Sequence, residues 1–255
     1  MNVRIALGSF FPSYVCQEIA RGVLEEAERL RGENPQLSLE VWESKTYDRF
    51  LREHRLVKFD GALAFGNYWH VVFGGKGWPP LSTLGIPWIN TSNRFYHPDV
   101  PKVVQDDIAI GRLAGRFLAR KQPQAFAFLG FPDEFFFSEE RRLGFIQRAG
   151  IAPEQLLDAP RVRGESLHHP GSAQDALMQD WIASLPRNTA IFAANDEKGA
   201  NLLSRLSAFP RRVPADLTLI GADDDPAFTK RTNLALSSIH IGGAAVGRRA
   251  LRTLT

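Results

Sequence analysis

Short apolar runs alternate with amphipathic helical stretches along this 255-residue chain, and that alternation narrows the possible folds more than any other feature. It is the sequence form of a parallel α/β sheet. The first run, Val3 to Leu7, ends at Gly8 and Ser9. Pro12 and Ser13 then open a helix with apolar positions at Cys16, Ile19, Ala20, Val23, Leu24, Ala27 and Leu30. Those steps of three and four place one stripe on one face. Further strands are predicted at Leu37 to Trp42, Gly61 to Phe65, Pro87 to Asn90 and Lys102 to Gln105. The pattern then restarts. Helices are predicted over Ile108 to Arg120, Glu139 to Ala149, Ser172 to Leu185, Lys198 to Ala208 and Ala244 to Leu254. Strands fall at Ala125 to Leu129, Ala190 to Ala194, Leu217 to Ala222 and Leu236 to Ile239. No linker, repeat or low-complexity tract separates the halves. The expectation is an α/β protein of two doubly wound parallel-sheet lobes, residues 1–119 with 239–255 forming one and residues 120–238 the other. Ligands of such sheets bind beyond the carboxyl ends of the strands.

Composition removes several classes of function. Lys and Arg number 31 against 28 for Asp and Glu, a formal charge of +3. No basic run forms a phosphate-binding stripe, which argues against direct nucleic-acid binding by these residues. A single cysteine, Cys16, excludes an intrachain disulfide and a multi-cysteine zinc site, and fits a reducing compartment. The start has none of the regions of a signal peptide. No apolar run approaches the roughly 18 residues that span a bilayer. A cytoplasmic protein with no membrane partner is expected.

Enzyme signatures are missing. Gly74-Gly75-Lys76-Gly77 lacks the spacing of a phosphate loop, and no G-x-G-x-x-G or G-x-S-x-G occurs. His168 and His169 are adjacent, so they point to different faces and cannot easily share a metal. His54, His70, His97 and His240 are scattered, and all six histidines read as surface or packing residues. Asp223-Asp224-Asp225, directly after an apolar strand, is more informative. Three like charges there repel unless something compensates them. They can form a solvated turn stopped by Pro226, or accept hydrogen bonds from a polyhydroxyl ligand. A hard-metal loop would need alternating oxygen ligands and a glycine that this segment lacks. No cofactor and no metal are expected.

Four segments in order carry a resemblance. They are Val104 to Gly111, Ala125 to Leu129 leading to Glu140 to Phe145, Ala190 to Asp196, and Val213 to Asp224 ahead of Leu236 to Ile239. Together they resemble the effector-binding domain of LacI/GalR-type transcription regulators, a type I periplasmic-binding-protein fold. Asp180 to Pro186 and Leu236 to Ile239 are similar to a branch of that family that regulates xylose use. In that branch the sugar lobes come first and an AraC-type DNA-binding module follows. The resemblance implies a sugar-sensing domain that binds a monosaccharide, xylose or another pentose or hexose, in an interlobe cleft. It also implies that DNA is bound through a module outside this chain, which is expected to continue past Thr255. A periplasmic receptor for a sugar transporter and a sugar-modifying enzyme are the alternatives.

By the same resemblance Asp106, Arg141, Asn195 and Asp223 are the ligand-binding positions. Two carboxylates, an amide and a forked guanidinium can satisfy vicinal hydroxyls bidentately. Asp106 and Asn195 could equally cap helices, and Arg141 could pair with Asp133 or Glu134. The family's polar residue after Ser238-Ile239-His240 is replaced by Ile241, which casts doubt on xylose as the sugar. Phe10 and Phe136 are the expected sugar-stacking rings, because three consecutive phenylalanines, Phe135 to Phe137, cannot all face a core. The apolar loop from Gly74 to Pro80, with Val71, Val72, Phe73 and Trp78, is assigned to a subunit interface of a homodimer.

Overall fold

Every strand pairing among the described residues is parallel, as the alternation requires. The computed structural model describes residues 4–9, 13–43, 59–64, 85–94, 101–133, 135–161, 172–230 and 236–255. They form two compact units, Met1–Gln105 with Gly242–Thr255, and Asp106–Ile241.

In the first unit, β1 (Arg4–Ser9), β2 (Ser38–Glu43), β3 (Gly61–Ala64) and β4 (Trp88–Asn90) make a sheet in the order β2-β1-β3-β4. The strand expected at Lys102 to Gln105 is reduced to one bridge, Asn90 to Lys102. Helices α1 (Tyr14–Arg31) and α7 (Gly243–Leu254) pack closely. Their apolar faces supply Ala20, Val23, Ala27, Ala250 and Leu251 to a core shared with Leu63 and Ile89. Glu26 is buried between them. Hydrogen bonds from Arg252 of α7 and from Arg29, each 2.7 Å, hold its carboxyl down to about 2.

The second unit contains a five-stranded sheet in the order β6-β5-β7-β8-β9. Its strands are β5 (Ala125–Leu129), β6 (Leu156–Asp158), β7 (Thr189–Ala193), β8 (Leu217–Ala222) and β9 (Ser237–Ile239). Both faces are covered, so the central strands read as continuous apolar runs. Ala127, Leu129, Ile191, Ala193, Leu217 and Leu219 face α4 (Ala173–Ser184) and α5 (Asp196–Leu206). Phe128, Ala190, Phe192, Ala194, Ile220 and Ala222 face α2 (Asp107–Ala119) and α3 (Phe136–Ala149). A short helix α6 (Pro226–Thr229) follows β8.

Strand β5 leads to β6 on one side, and the chain then crosses back to β7 on the other. The connections leaving β5 and β7 run to opposite sides, to β6 and to β8, the topological switch at whose carboxyl ends doubly wound sheets take ligands. Strand β6 and helix α6 have no counterpart in the sequence reading. Helix α3 begins three residues earlier than expected, at Phe136.

The division of the chain also differs from the expected one. Helix α2, placed with the first lobe by the sequence, packs against α3 in the second unit. The reason is its glycine edge. A Cβ at Gly111 would lie 2.0 Å from the Arg141 carbonyl oxygen, and one at Gly144 would lie 2.0 Å from that of Ile108. Two glycines thus let the helix backbones touch.

Candidate functional site

The ends of β5, β7, β8 and β9 bring the chemistry of the second unit together. Arg141, one turn into α3, is 4% exposed and bonds to three distant segments. Its Nε donates to Asp107 Oδ1 at 2.8 Å, and its Nη1 donates to the Ala194 carbonyl at 2.5 Å and to Asp223 Oδ1 at 3.1 Å. Burial works against the guanidinium's charge, but Asp107 and Asp223 outweigh it and raise its affinity for the proton. The Phe137 ring lies 5.1 Å from its Cζ.

Of the expected ligand positions, Arg141 and Asp223 meet directly, and Asn195 adjoins them through the Ala194 carbonyl. Asp106 does not join the ion-pair cluster. Its carboxylate is turned to its own helix, accepting from the Ala109 N–H at 2.8 Å as the N-cap of α2. The carboxylate that reaches Arg141 belongs to the next residue, Asp107. Asn195 caps α5, its Oδ1 accepting from the Lys198 N–H at 3.0 Å. Its amide nitrogen makes no hydrogen bond among the described residues, and neither does Asp223 Oδ2. Arg141 does not pair with Asp133, which pairs with Arg161 instead. Phe136 opens α3 half-buried, and the rings stacked on one another are Phe131 and Phe135, 5.0 Å apart, with Phe137 5.4 Å from Phe131. Phe10 and the 71–80 loop lie outside the described residues, as do the histidines other than His240.

The aspartate triplet resolves its repulsion by divergence. Asp223 turns to Arg141, Asp224 is exposed beside His240 at 3.5 Å, and Asp225 caps α6. Asp223 and Asp224 carry φ angles of +109° and +55°. For residues with a Cβ each costs on the order of 1–3 kcal/mol, strain of the kind that aims side chains at functional sites.

Asp196, Lys198 and Ser238 went unrecognised in the sequence. Asp196 is 1% exposed, and its Oδ2 accepts from the Ser238 hydroxyl and the Asp225 N–H, both at 2.8 Å. Its Oδ1 is buried without a partner. Burial pushes this carboxyl up to about 7, against the Ser238 and Asp225 hydrogen bonds and aided by the charges of Asp223 and Asp225. Burial likewise pushes Asp223 up to about 6, opposed by Arg141. Both groups therefore hold protons in the folded chain that the unfolded chain has released. The unfolded state binds fewer protons between about pH 4 and 7, so stability falls as pH rises through that window. The thermal midpoint should drop between pH 5 and 7.5, and Asp196→Asn should remove most of that slope. Equal slopes in the two proteins would show that Asp196 titrates normally.

Lys198 sits on the buried stripe of α5 with Leu202 and Leu206, a spacing of four that the sequence displays. Its Nζ lies 4.3 Å above the centre of the Phe131 ring.

Among the described residues no helix is long and apolar enough to cross a membrane. Residues 115–255 match the family model of the periplasmic binding protein-like domain. The chain is 27% identical over 186 residues to the xylose operon regulatory protein of Escherichia coli strain K12, covering 68% of this chain and 45% of that protein. The xylose operon regulatory protein of Haemophilus influenzae strain Rd is 26% identical over 163 residues, covering 62% and 41%. The chain thus spans less than half the length of these curated relatives. The structure of a xylose-binding transcription activator superposes with a TM-score of 0.76, at 22% identity, over 98% of this chain and 62% of that one. The likeness bears out the expected type I periplasmic-binding-protein fold and the LacI/GalR-type resemblance. With residues 115–255 inside the family model, more than half of its 255 residues, the chain belongs to the periplasmic binding protein-like domain family.

Proposed function

We propose that this chain is the ligand-sensing part of a sugar-responsive transcription regulator, and that it binds a monosaccharide without turning it over. The observation that carries the reading is the cluster at the strand ends of the second unit. Arg141 fixes Asp223 with one carboxylate oxygen unoccupied, and Asn195 offers an unused amide N–H on the neighbouring strand end. An acceptor and a donor on rigid supports are what a pair of sugar hydroxyls needs. Asp106, at the start of the same unit, is the further proposed contact, and Phe10 and Phe136 are the proposed stacking rings. The similarity to regulatory proteins of the xylose operon supports binding over turnover.

In the proposed cycle the sugar is also held by the first unit, and its differential affinity for a closed arrangement of the two units shifts the population toward closure. A coupling of about 1–3 kcal/mol would change DNA affinity about 5- to 150-fold. DNA contact is assigned to a separate module of the regulator, acting in the cytoplasm as a homodimer. A thermal-shift screen of pentoses and hexoses, followed by calorimetry, tests the reading. A cognate sugar at a hundred times its Kd should stabilise the fold by about 2.7 kcal/mol. Folded protein that shows neither a shift nor heat with any sugar would overturn it.

A further inference from the structure

We propose that the effector of this protein is an acidic monosaccharide, one whose carboxylate or phosphate group is held by Lys198. This rests on the sugar-binding reading above and narrows it to a chemical class. Lys198 is 5% exposed, yet no carboxylate among the described residues forms an ion pair with it. Among the described residues its ammonium meets the face of the Phe131 ring, 4.3 Å away. The contrast with its neighbours is sharp. Buried Arg141 is matched by Asp107 and Asp223, and Arg205 by buried Asp175. A cation taken out of water without a counter-charge is costly, and a ring face compensates only part of that cost. An arriving anion would supply the remainder.

Position supports the same conclusion. Phe131 follows β5 and Lys198 lies in the first turn after β7. The ammonium and the ring therefore face each other across the point where the sheet's connections diverge, the place where doubly wound sheets take their ligands. The acidic groups lie toward β8, at Asp223, where hydroxyls would be bound. A cation after β7 and an Arg141-held carboxylate after β8 together suit a polyol with one anionic terminus. Lysine, a compact charge with three rotatable donors, accepts either a carboxylate or a phosphate oxygen.

The experiment is calorimetry on the full chain with D-glucuronate, D-gluconate and D-glucose 6-phosphate, each against D-glucose, and with D-xylose as a further neutral probe. At least one anionic probe should bind 10-fold or more tightly than D-glucose, and the preferred one distinguishes a carboxylate from a phosphate. Lys198→Met should weaken that probe about 10- to 100-fold, as loss of a charged hydrogen bond does, and Lys198→Arg should keep most of the affinity. Should Lys198→Met not fold, wild-type protein carries the test. Burial pulls the Lys198 ammonium down to about 8, so affinity for the anionic probe should fall between pH 7 and 9. Neutral sugars binding as tightly as the anionic ones, or an anionic probe indifferent both to Lys198→Met and to pH, would overturn this inference and leave the sugar reading standing. No binding by any of the five probes overturns the assignment of an acidic effector, while binding of some other sugar in the wider screen preserves the parent reading.

Discussion

Replacing Arg141 with methionine should cost about 3–5 kcal/mol of unfolding free energy, the usual consequence of stripping one partner from a buried ionic cluster. The guanidinium is nearly inaccessible and bonds Asp107 on α2, the Ala194 carbonyl after β7 and Asp223 after β8. Methionine fills much of the space but leaves Asp107, whose side chain is 1% exposed, without its cation. Urea denaturation followed by circular dichroism measures the loss. A double-mutant cycle with Asp107→Asn should recover part of it, because the second change removes the stranded charge. A loss below about 1 kcal/mol would mean the three segments are held by packing alone.

The second large effect is expected at the α2–α3 contact. Gly144→Ala places a methyl group 2.0 Å from the Ile108 carbonyl oxygen, a full ångström inside any tolerated approach. Helix propensity alone would favour alanine by up to about 1 kcal/mol, so the sign of the change is decisive. Separation of the helices would loosen Ile110, Ala114, Phe145 and Ile146, all buried in one cluster. The net loss should be on the order of 2–4 kcal/mol, seen as a lower thermal midpoint. A stabilised variant would show that the backbones do not meet. Gly111→Ala tests the reciprocal contact with the Arg141 carbonyl.

The strands most readable in the sequence were those covered on both faces, because their apolar runs are long and unbroken. Ala125–Leu129 and Leu217–Ala222 fall on the residues read from the chain. Strand β6 escaped because it is three residues at a sheet edge, too short to display a period. Helix α3 begins inside the phenylalanine triplet, which as sequence looks like a loop, and its N-cap residue Phe135 supplies no side-chain bond. At the site, Arg141 and Asp223 were legible as residue types in the right order. The exchange of Asp106 for Asp107 was not. Two adjacent aspartates at a helix start are equivalent on paper, and only the turn of the backbone decides which one caps and which one faces inward. Lys198 was legible in principle, because a lysine four residues before Leu202 and eight before Leu206 lies on the apolar stripe of its helix. Asp196 and Ser238 were not, since their meeting depends on a separation of 42 residues.

The polypeptide passes between its two units twice, at Gln105/Asp106 and at Ile241/Gly242. Asp223 is wired to both places. Through Arg141 it grips Asp107, the second residue past the first crossing, and its own N–H holds the Ile239 carbonyl at 3.0 Å, two residues short of the second. One residue at the strand ends thus reaches segments beside both crossings, by its carboxylate through Arg141 and by its main-chain N–H to Ile239.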